Sequence, residues 1–416
     1  MGRKTCMQLC AVPVVVLALL VGLVQVVLKQ PAYAEAVARQ IVRWGGISES
    51  VYDHIEFLDD SAWYEIITKG NLGIAESYMS GKVKVDALPF FYAVMNGTSV
   101  GTRRMETADA LGYVMKALAL PTDLAGLLTN QQSRDRSTRV TTMHYDVGND
   151  LYERMLGPTM SYTCAYWNGK AKTLEEAQTN KFNLIFRKLQ LEPGMKVADL
   201  GMGWGTAAQY MHKNGNVDVT GVSLSAEQVK WAQANLTKPG LRFVFQDYRD
   251  HCEDPAKIGS YDRIYSIGML EHVGYKNFNS FFTCIKKLLK PDGLAVVHTI
   301  GEPDFVPASD AFLDKYIFPG AVIPAMSTLM PAIEKNFILE DFQNFGHDYA
   351  LTLEAWGVNA QAFFKEHPEA YTPEFQRMWD YYLKMCEALF RLRINQLWHF
   401  VLSPRPAFRQ TIKRQL

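Results

Sequence analysis

Apolar positions are spaced in different ways along the chain, and each spacing predicts a different kind of element. Residues 11–28, AVPVVVLALLVGLVQVVL, carry no charge between Arg3, Lys4 and Lys29. A helix of that length rises about 27 Å at about 1.5 Å per residue, close to the hydrocarbon thickness of a bilayer. The run predicts an amino-terminal hydrophobic helix that anchors residues 1–35 in a membrane; Ala32-Tyr33-Ala34 also suits a signal-peptide cleavage site, which would make the segment a removed leader. Lys29, Arg39 and Arg43 follow the run and lean the body toward the cytoplasmic side. Residues 36–128 read as short amphipathic pieces parted by glycines, as in GNLGIAESYMSGKVKVDALPFFYAVM, and predict a small helical domain. Residues 129–142, TNQQSRDRSTRVTT, lose apolar periodicity and predict a linker.

Beyond the linker the spacing changes again. Strand-like runs, KVADLG at 196, VDVTGV at 217, LRFVFQD at 241, YDRIYSIG at 261 and LAVVHTIG at 294, alternate with helical stretches at 205–214, 225–236 and 278–289. That alternation predicts a doubly wound, Rossmann-like α/β domain over 143–416, with a parallel sheet and helices on both faces. Residues 308–409 predict aromatic-rich helices, because MWDYYLKMCEALFRLRINQLW places apolar residues three and four apart.

Composition bounds the partners. A chain of 416 residues, 48% hydrophobic and 12% aromatic, can bury a large core in two domains. Its 43 basic and 43 acidic side chains cancel, and this balance, with no basic stripe, argues against a nucleic-acid substrate. Cys6, Cys10, Cys164, Cys252, Cys284 and Cys386 form no CxxC pair, so reduced thiols are expected.

The strand KVADLG runs into Gly201-Met202-Gly203-Trp204-Gly205 and then a helix, which puts the glycines at the first βα turn. Without Cβ atoms the backbone there can approach a ligand closely, at the strand ends where such sheets bind cofactors. A dinucleotide site would show GxGxxG and an acidic end to the second strand, and neither is present. GxGxG behind Asp199 fits S-adenosylmethionine better, since a carboxylate at the head of the turn can receive the cofactor's ammonium.

The segments around that turn extend the signal. HYDVGNDLYERML at 144, MSYTCAYWNG at 160, PGMKVADLGMGWG at 193, VTGVSLSAEQ at 219, QDYRD at 246, DRIYSIGMLEHVG at 262, LKPDGLAVVHTIG at 289 and KYIFPG at 315 together resemble the cyclopropane-fatty-acyl-phospholipid synthase family of class I S-adenosylmethionine-dependent methyltransferases. The likeness runs from about residue 44 to the end and follows the bacterial two-domain form, which implies a homodimer acting on bilayer phospholipids with unsaturated acyl chains. The resemblance puts S-adenosylmethionine against Tyr162 and Thr163; against Val197, Ala198, Asp199, Leu200, Gly201, Met202, Gly203, Trp204 and Gly205; against Ser223, Leu224, Ser225, Ala226, Glu227 and Gln228; and against Tyr248 and Arg249. Met202 stands where the family usually has Cys, and Thr163 where it has Ser.

Methylation of a double bond leaves a carbocation that must lose a proton to close a ring, so a base within reach and exclusion of water are required. In the family the base is a bound bicarbonate. The resemblance implies that Glu271, His298 and Tyr349 hold it, with the backbone amides of Cys164 and Ile300, and that Cys386 matches a cysteine of the bacterial enzymes. Taken singly, Glu271 also suits a helix N-terminus, His298 a core position and Cys386 a small buried hydrophobe. The same cation could instead give a methyl branch or a methylene group, and a non-catalytic lipid-binding relative would keep the fold.

Overall fold

The computed structural model describes residues 27–44, 46–105, 130, 132, 148–307 and 309–406. Two compact units divide the chain: one takes Met1–Gly112 and Thr372–Tyr381, the other Tyr113–Tyr371 and Tyr382–Leu416. Of the segment expected to link two domains, only Asn130 and Gln132 are described.

The first unit contains the helices Pro31–Trp44, Ser61–Lys69, Asn71–Met79 and Ala87–Met105, with β1 (Ile55–Phe57) paired antiparallel to β2 (Val83–Val85). Its small core forms around Trp63, on which Phe57 stacks with ring centroids 3.7 Å apart, while Arg39 lies 4.3 Å from the Tyr52 ring centroid. The membrane anchor expected at the amino terminus is corrected here. Among the described residues no helix is long and apolar enough to cross a membrane. The most amino-terminal of the named helices, Pro31–Trp44, carries Glu35, Arg39 and Arg43, charges that hydrocarbon would not accept. Of the run 11–28 only Val27 and Leu28 lie within the described residues.

The second unit is built on a seven-stranded sheet in the order β5-β4-β3-β6-β7-β9-β8. Its strands are β3 (Lys196–Leu200), β4 (Asp218–Ser223), β5 (Leu241–Phe245), β6 (Tyr261–Ile267), β7 (Leu289–Gly301), β8 (Phe337–Asn344) and β9 (Gln396–Pro404). β3 to β7 run parallel, and β9 inserts antiparallel between β7 and β8. Both faces are covered, which explains why the strands read as continuous apolar runs. Ala198, Leu200, Ala295 and Val297 enter the core on one face, and Val197, Val219, Leu294 and Val296 enter it on the other. Each such valine or leucine contributes about 1.5–3 kcal/mol when fully removed from water, and each alanine methyl less than about 1 kcal/mol.

Local sequence starts the helices where the site needs them. Thr173 caps Leu174–Leu189 by accepting from the Glu176 amide, and Ser225 caps Ala226–Leu236 by accepting from Gln228. Besides the aromatic-rich helices expected there, residues 309–406 include β8 and β9. The helix Pro373–Arg391 stops before Arg393, whose φ of 58° is left-handed, and QLW begins β9 instead of continuing the helix. The expectation of reduced thiols is also corrected for one pair: Cys252 and Cys284, on helices packed side by side, form a disulfide with Cα atoms 5.4 Å apart. Cys164 and Cys386 are free.

Candidate active site

A cavity of about 190 Å³ opens at the carboxyl ends of β3, β4 and β6, where the chain turns outward on either side of β3. Its floor is the glycine turn. Gly201, Gly203 and Gly205 have φ of 84°, 55° and 79°, and a Cβ on Gly201 would fall 2.8 Å from that of Met269, so both backbone freedom and close packing require glycine.

Of the residues expected at the cofactor, Tyr162, Thr163, Asp199, Gly201, Met202, Gly203, Trp204, Ser223, Leu224, Ser225, Gln228, Tyr248 and Arg249 line this cavity. Val197, Ala198, Leu200, Gly205, Ala226 and Glu227 do not. Strand alternation is the reason for the first group: Val197 packs into one core, and Ala198 and Leu200 into the other, leaving Asp199 at the strand end facing the opening. Gly205 sits against the Phe243 ring, and Ala226 and Glu227 begin a helix.

Asp199 is 1% exposed and its Oδ2 has no hydrogen-bond partner. Burial pushes its carboxyl up to about 7, against the lowering effect of the neighbouring Tyr265 phenol. A buried carboxylate oxygen in this state is matched by a cationic ligand group. Across the cavity, the wall Ser161-Tyr162-Thr163 is pinned from the helix Leu174–Leu189. Lys181 Nζ donates to Ser161 Oγ (2.6 Å) and Thr163 Oγ1 (2.7 Å), and Gln178 Nε2 donates to the carbonyls of Ser161 (3.2 Å) and Thr163 (3.0 Å). Burial pulls Lys181 down to about 7. At the far end, Ser223 Oγ accepts from the Ser225 amide (3.1 Å), and Arg249 Nε pairs with Asp247 Oδ1 (2.9 Å), which fixes the loops after β4 and β5.

Of the second group of expected residues, Glu271, Ile300, Cys164 and Tyr349 come together at the ends of β6 and β7, and His298 borders them through Phe345, whose ring centroid lies 6.1 Å from its own. Glu271 lies on the short helix Leu270–Val273 and is 6% exposed; its Oε1 accepts from the Ile300 amide at 2.6 Å, and its Oε2 has no partner. Ile300 therefore orients the carboxyl in this structure, a use of its amide that the sequence did not suggest. Cys164, Ile300 and Tyr349 share one apolar cluster with Phe345. Burial raises the carboxyl of Glu271 and raises the phenol of Tyr349 well above its usual range, the latter helped by Cys164 and Glu271 nearby. His298 is buried on β7, and burial, then the Lys181 and Lys188 ammoniums, hold it well below the ordinary imidazole range. Tyr349 is thus kept as a phenol and His298 as a neutral imidazole, groups able to donate hydrogen bonds to an anion, and burial moves the Glu271 carboxyl in the same direction.

Between cavity and cluster stands an aromatic wall. The Tyr162 ring lies 5.0 Å from Trp356 and 6.4 Å from Phe318, Tyr349 lies 5.9 Å from Trp356 and 4.5 Å from Phe390, and the hydroxyls of Tyr162 and Tyr382 are 2.7 Å apart. Lys181, Gln178, His272, Trp356, Phe318 and Tyr382 were not picked out from sequence. One signal was available: Gln178 and Lys181 interrupt the face on which Ala177, Phe182, Leu184 and Ile185 are buried. Cys386 is electrostatically coupled to Tyr349 and Tyr382, and burial pushes its thiol up to about 12. It is a neutral thiol at physiological pH and no nucleophile. Cys386→Ser is expected to keep kcat within about threefold of the parent, measured as initial rates of the two proteins under the same conditions.

Comparison with known proteins agrees with this architecture. Residues 132–400 match the family model for mycolic acid cyclopropane synthetase. The chain is 41% identical over 339 residues to the cyclopropane-fatty-acyl-phospholipid synthase of Escherichia coli, covering 81% of this chain and 84% of that one. It is 32% identical over 363 residues to a probable fatty acid methyltransferase of Mycobacterium tuberculosis, covering 82% and 84%. Among solved structures, a cyclopropane synthase of Mycobacterium tuberculosis superposes with a TM-score of 0.59 at 30% identity, over 64% of this chain and 98% of the other. A mycolic acid cyclopropane synthase complexed with SAH and CTAB superposes with a TM-score of 0.57 at 30% identity, over 64% and 97%. The chain belongs to the cyclopropane synthase family of class I S-adenosylmethionine-dependent methyltransferases.

Proposed function

We propose that this enzyme transfers the methyl group of S-adenosylmethionine to a cis double bond of an unsaturated phospholipid acyl chain and closes a cyclopropane ring there, with bicarbonate held beside the reacting carbons. The observation that carries this reading is the placing of an aromatic wall between a cofactor-sized cavity and a buried cluster of neutral hydrogen-bond donors. The orphaned Asp199 oxygen fits the cofactor's ammonium, and the carboxyl of Glu271, the phenol of Tyr349 and the imidazole of His298 fit an anion.

When bound, S-adenosylmethionine supplies an electrophilic methyl carbon, and bicarbonate supplies a base for a proton of the new methyl group. The π pair of the acyl double bond makes the first carbon–carbon bond as the carbon–sulfur pair leaves with sulfur. The cation that results is quenched when a C–H pair of the new methyl group closes the ring and its proton departs. The faces of Tyr162, Trp356, Phe318 and Tyr349 stabilise that cation by about 0.5–2 kcal/mol each and offer it no lone pair as reactive as water's. Tyr349 keeps its proton through burial and so presents an O–H donor, burial shifts the Glu271 carboxyl toward its protonated form, and the Ile300 amide fixes the direction of that carboxyl.

Purified protein, methyl-¹³C-labelled S-adenosylmethionine and vesicles of unsaturated phospholipid are expected to give lipid whose label appears by NMR as a ring methylene. A branch methyl or an exocyclic methylene would overturn ring closure. Unlabelled lipid from protein that binds the cofactor would overturn the activity.

A further inference from the structure

β7 and β9 pair antiparallel with His298 directly opposite His399, so the two imidazoles stand side by side on one face of the sheet. His298 Nδ1 and His399 Nε2 are 2.7 Å apart, and both residues are almost wholly buried. Desolvation, aided by Lys181 and Lys188, keeps both rings neutral. A neutral pair at this distance holds one proton between the facing nitrogens, and the ring that carries it decides the tautomer of both.

The two arrangements differ in what they leave unmatched. If His298 donates, its Nε2 is a bare lone pair, and His399 must carry its hydrogen on Nδ1, a buried atom with no partner. If His399 donates, His298 carries its hydrogen on Nε2, and the buried Nδ1 of His399 is a bare lone pair with no partner. Both arrangements leave the same two nitrogens without partners among the described residues, but the second leaves the buried His399 Nδ1 as a lone pair and not as an unpaired N–H, the rarer fault, and puts the free N–H on His298 Nε2. We propose that His399 is a positioning residue that fixes His298 as the Nε2–H tautomer, so that its imidazole offers a donor, not a lone pair, to the bound anion. This role rests on the anion-holding reading of Glu271, His298 and Tyr349.

The tautomer is measured first in the unmodified enzyme by ¹⁵N NMR of labelled histidines, a readout that needs no anion chemistry. His298 is expected to show a pyridine-like Nδ1 and a pyrrole-like Nε2; the reverse pattern overturns the proposal and requires no variant to fold. His399→Leu is expected to mix the His298 tautomers and to raise the sodium bicarbonate concentration for half-maximal rate about tenfold or more, the effect of losing one well-placed bond to a charged group. His399→Gln, whose amide N–H reaches Nδ1, is expected to restore the ¹⁵N pattern and most of the bicarbonate response. Unchanged ¹⁵N shifts and bicarbonate response in His399→Leu would overturn the role. A His399-dependent tautomer in an enzyme whose rate ignores bicarbonate would support the tautomer assignment and sink the anion reading instead.

Discussion

Glu271→Gln is expected to lower kcat about 10²- to 10⁴-fold, the range over which a positioned proton-handling group acts, while the KM for S-adenosylmethionine stays within about twofold. Glutamine is nearly the same size, and its amide oxygen can still accept from Ile300, so the helix Leu270–Val273 and the end of β7 keep their positions. What is lost is the ability to exchange a proton at Oε2. Burial holds that proton on Glu271 at pH values where a surface carboxyl has already lost it, and this oxygen has no other partner. An amide N–H at the same point can donate but cannot give up or take back a proton as the ring closes. The comparison variant is Cys386→Ser, whose parent thiol is coupled to the same Tyr349 but has no available charge. Equal losses in the two variants, or a Glu271→Gln enzyme near parental kcat, would show that the carboxyl serves only as a spacer.

The parts of this molecule that could be read from sequence are those in which one residue type has one physical use. Five strands were visible because a sheet covered on both faces buries most positions of a strand, and KVADLG, VDVTGV and YDRIYSIG are apolar at most of theirs. β9 was hidden for a related reason. QLWHFVLS is buried from Leu397 onward and follows an amphipathic helix, so its apolar residues continue the helical spacing past Arg393, where the chain turns. The glycine turn announced the cavity, but strand alternation, which sends Val197, Ala198 and Leu200 into the core, sets which neighbours border it. Contacts such as Lys181 on Thr163 or His399 on His298 join elements far apart in the chain, and neither residue type nor spacing predicts that they meet.

Asp199→Asn is expected to weaken S-adenosylmethionine binding by about 10- to 100-fold, since a hydrogen bond to a charged group contributes about 1.5–3 kcal/mol. The parent should also bind with a pH dependence that the variant lacks. In the ligand-free protein burial raises the Asp199 carboxyl from 3.8 to about 7, so below pH 7 it is largely protonated, and a cationic ammonium can pair with it only after that proton leaves. Affinity should therefore rise with pH up to about 7 and level off above it, by at most about tenfold per pH unit, with proton release visible in calorimetry across buffers of different ionisation enthalpy. Stability of the empty protein runs the other way. A carboxyl whose folded value is raised contributes stability that is fully present below its unfolded value near 3.8 and is lost as pH climbs through about 7. The thermal shift produced by the cofactor should accordingly grow between pH 5 and pH 8 in the parent and stay flat in Asp199→Asn. A variant that binds as tightly as its parent with the same pH profile would mean that the ammonium rests elsewhere, and that the orphaned oxygen at the head of the glycine turn is matched by water.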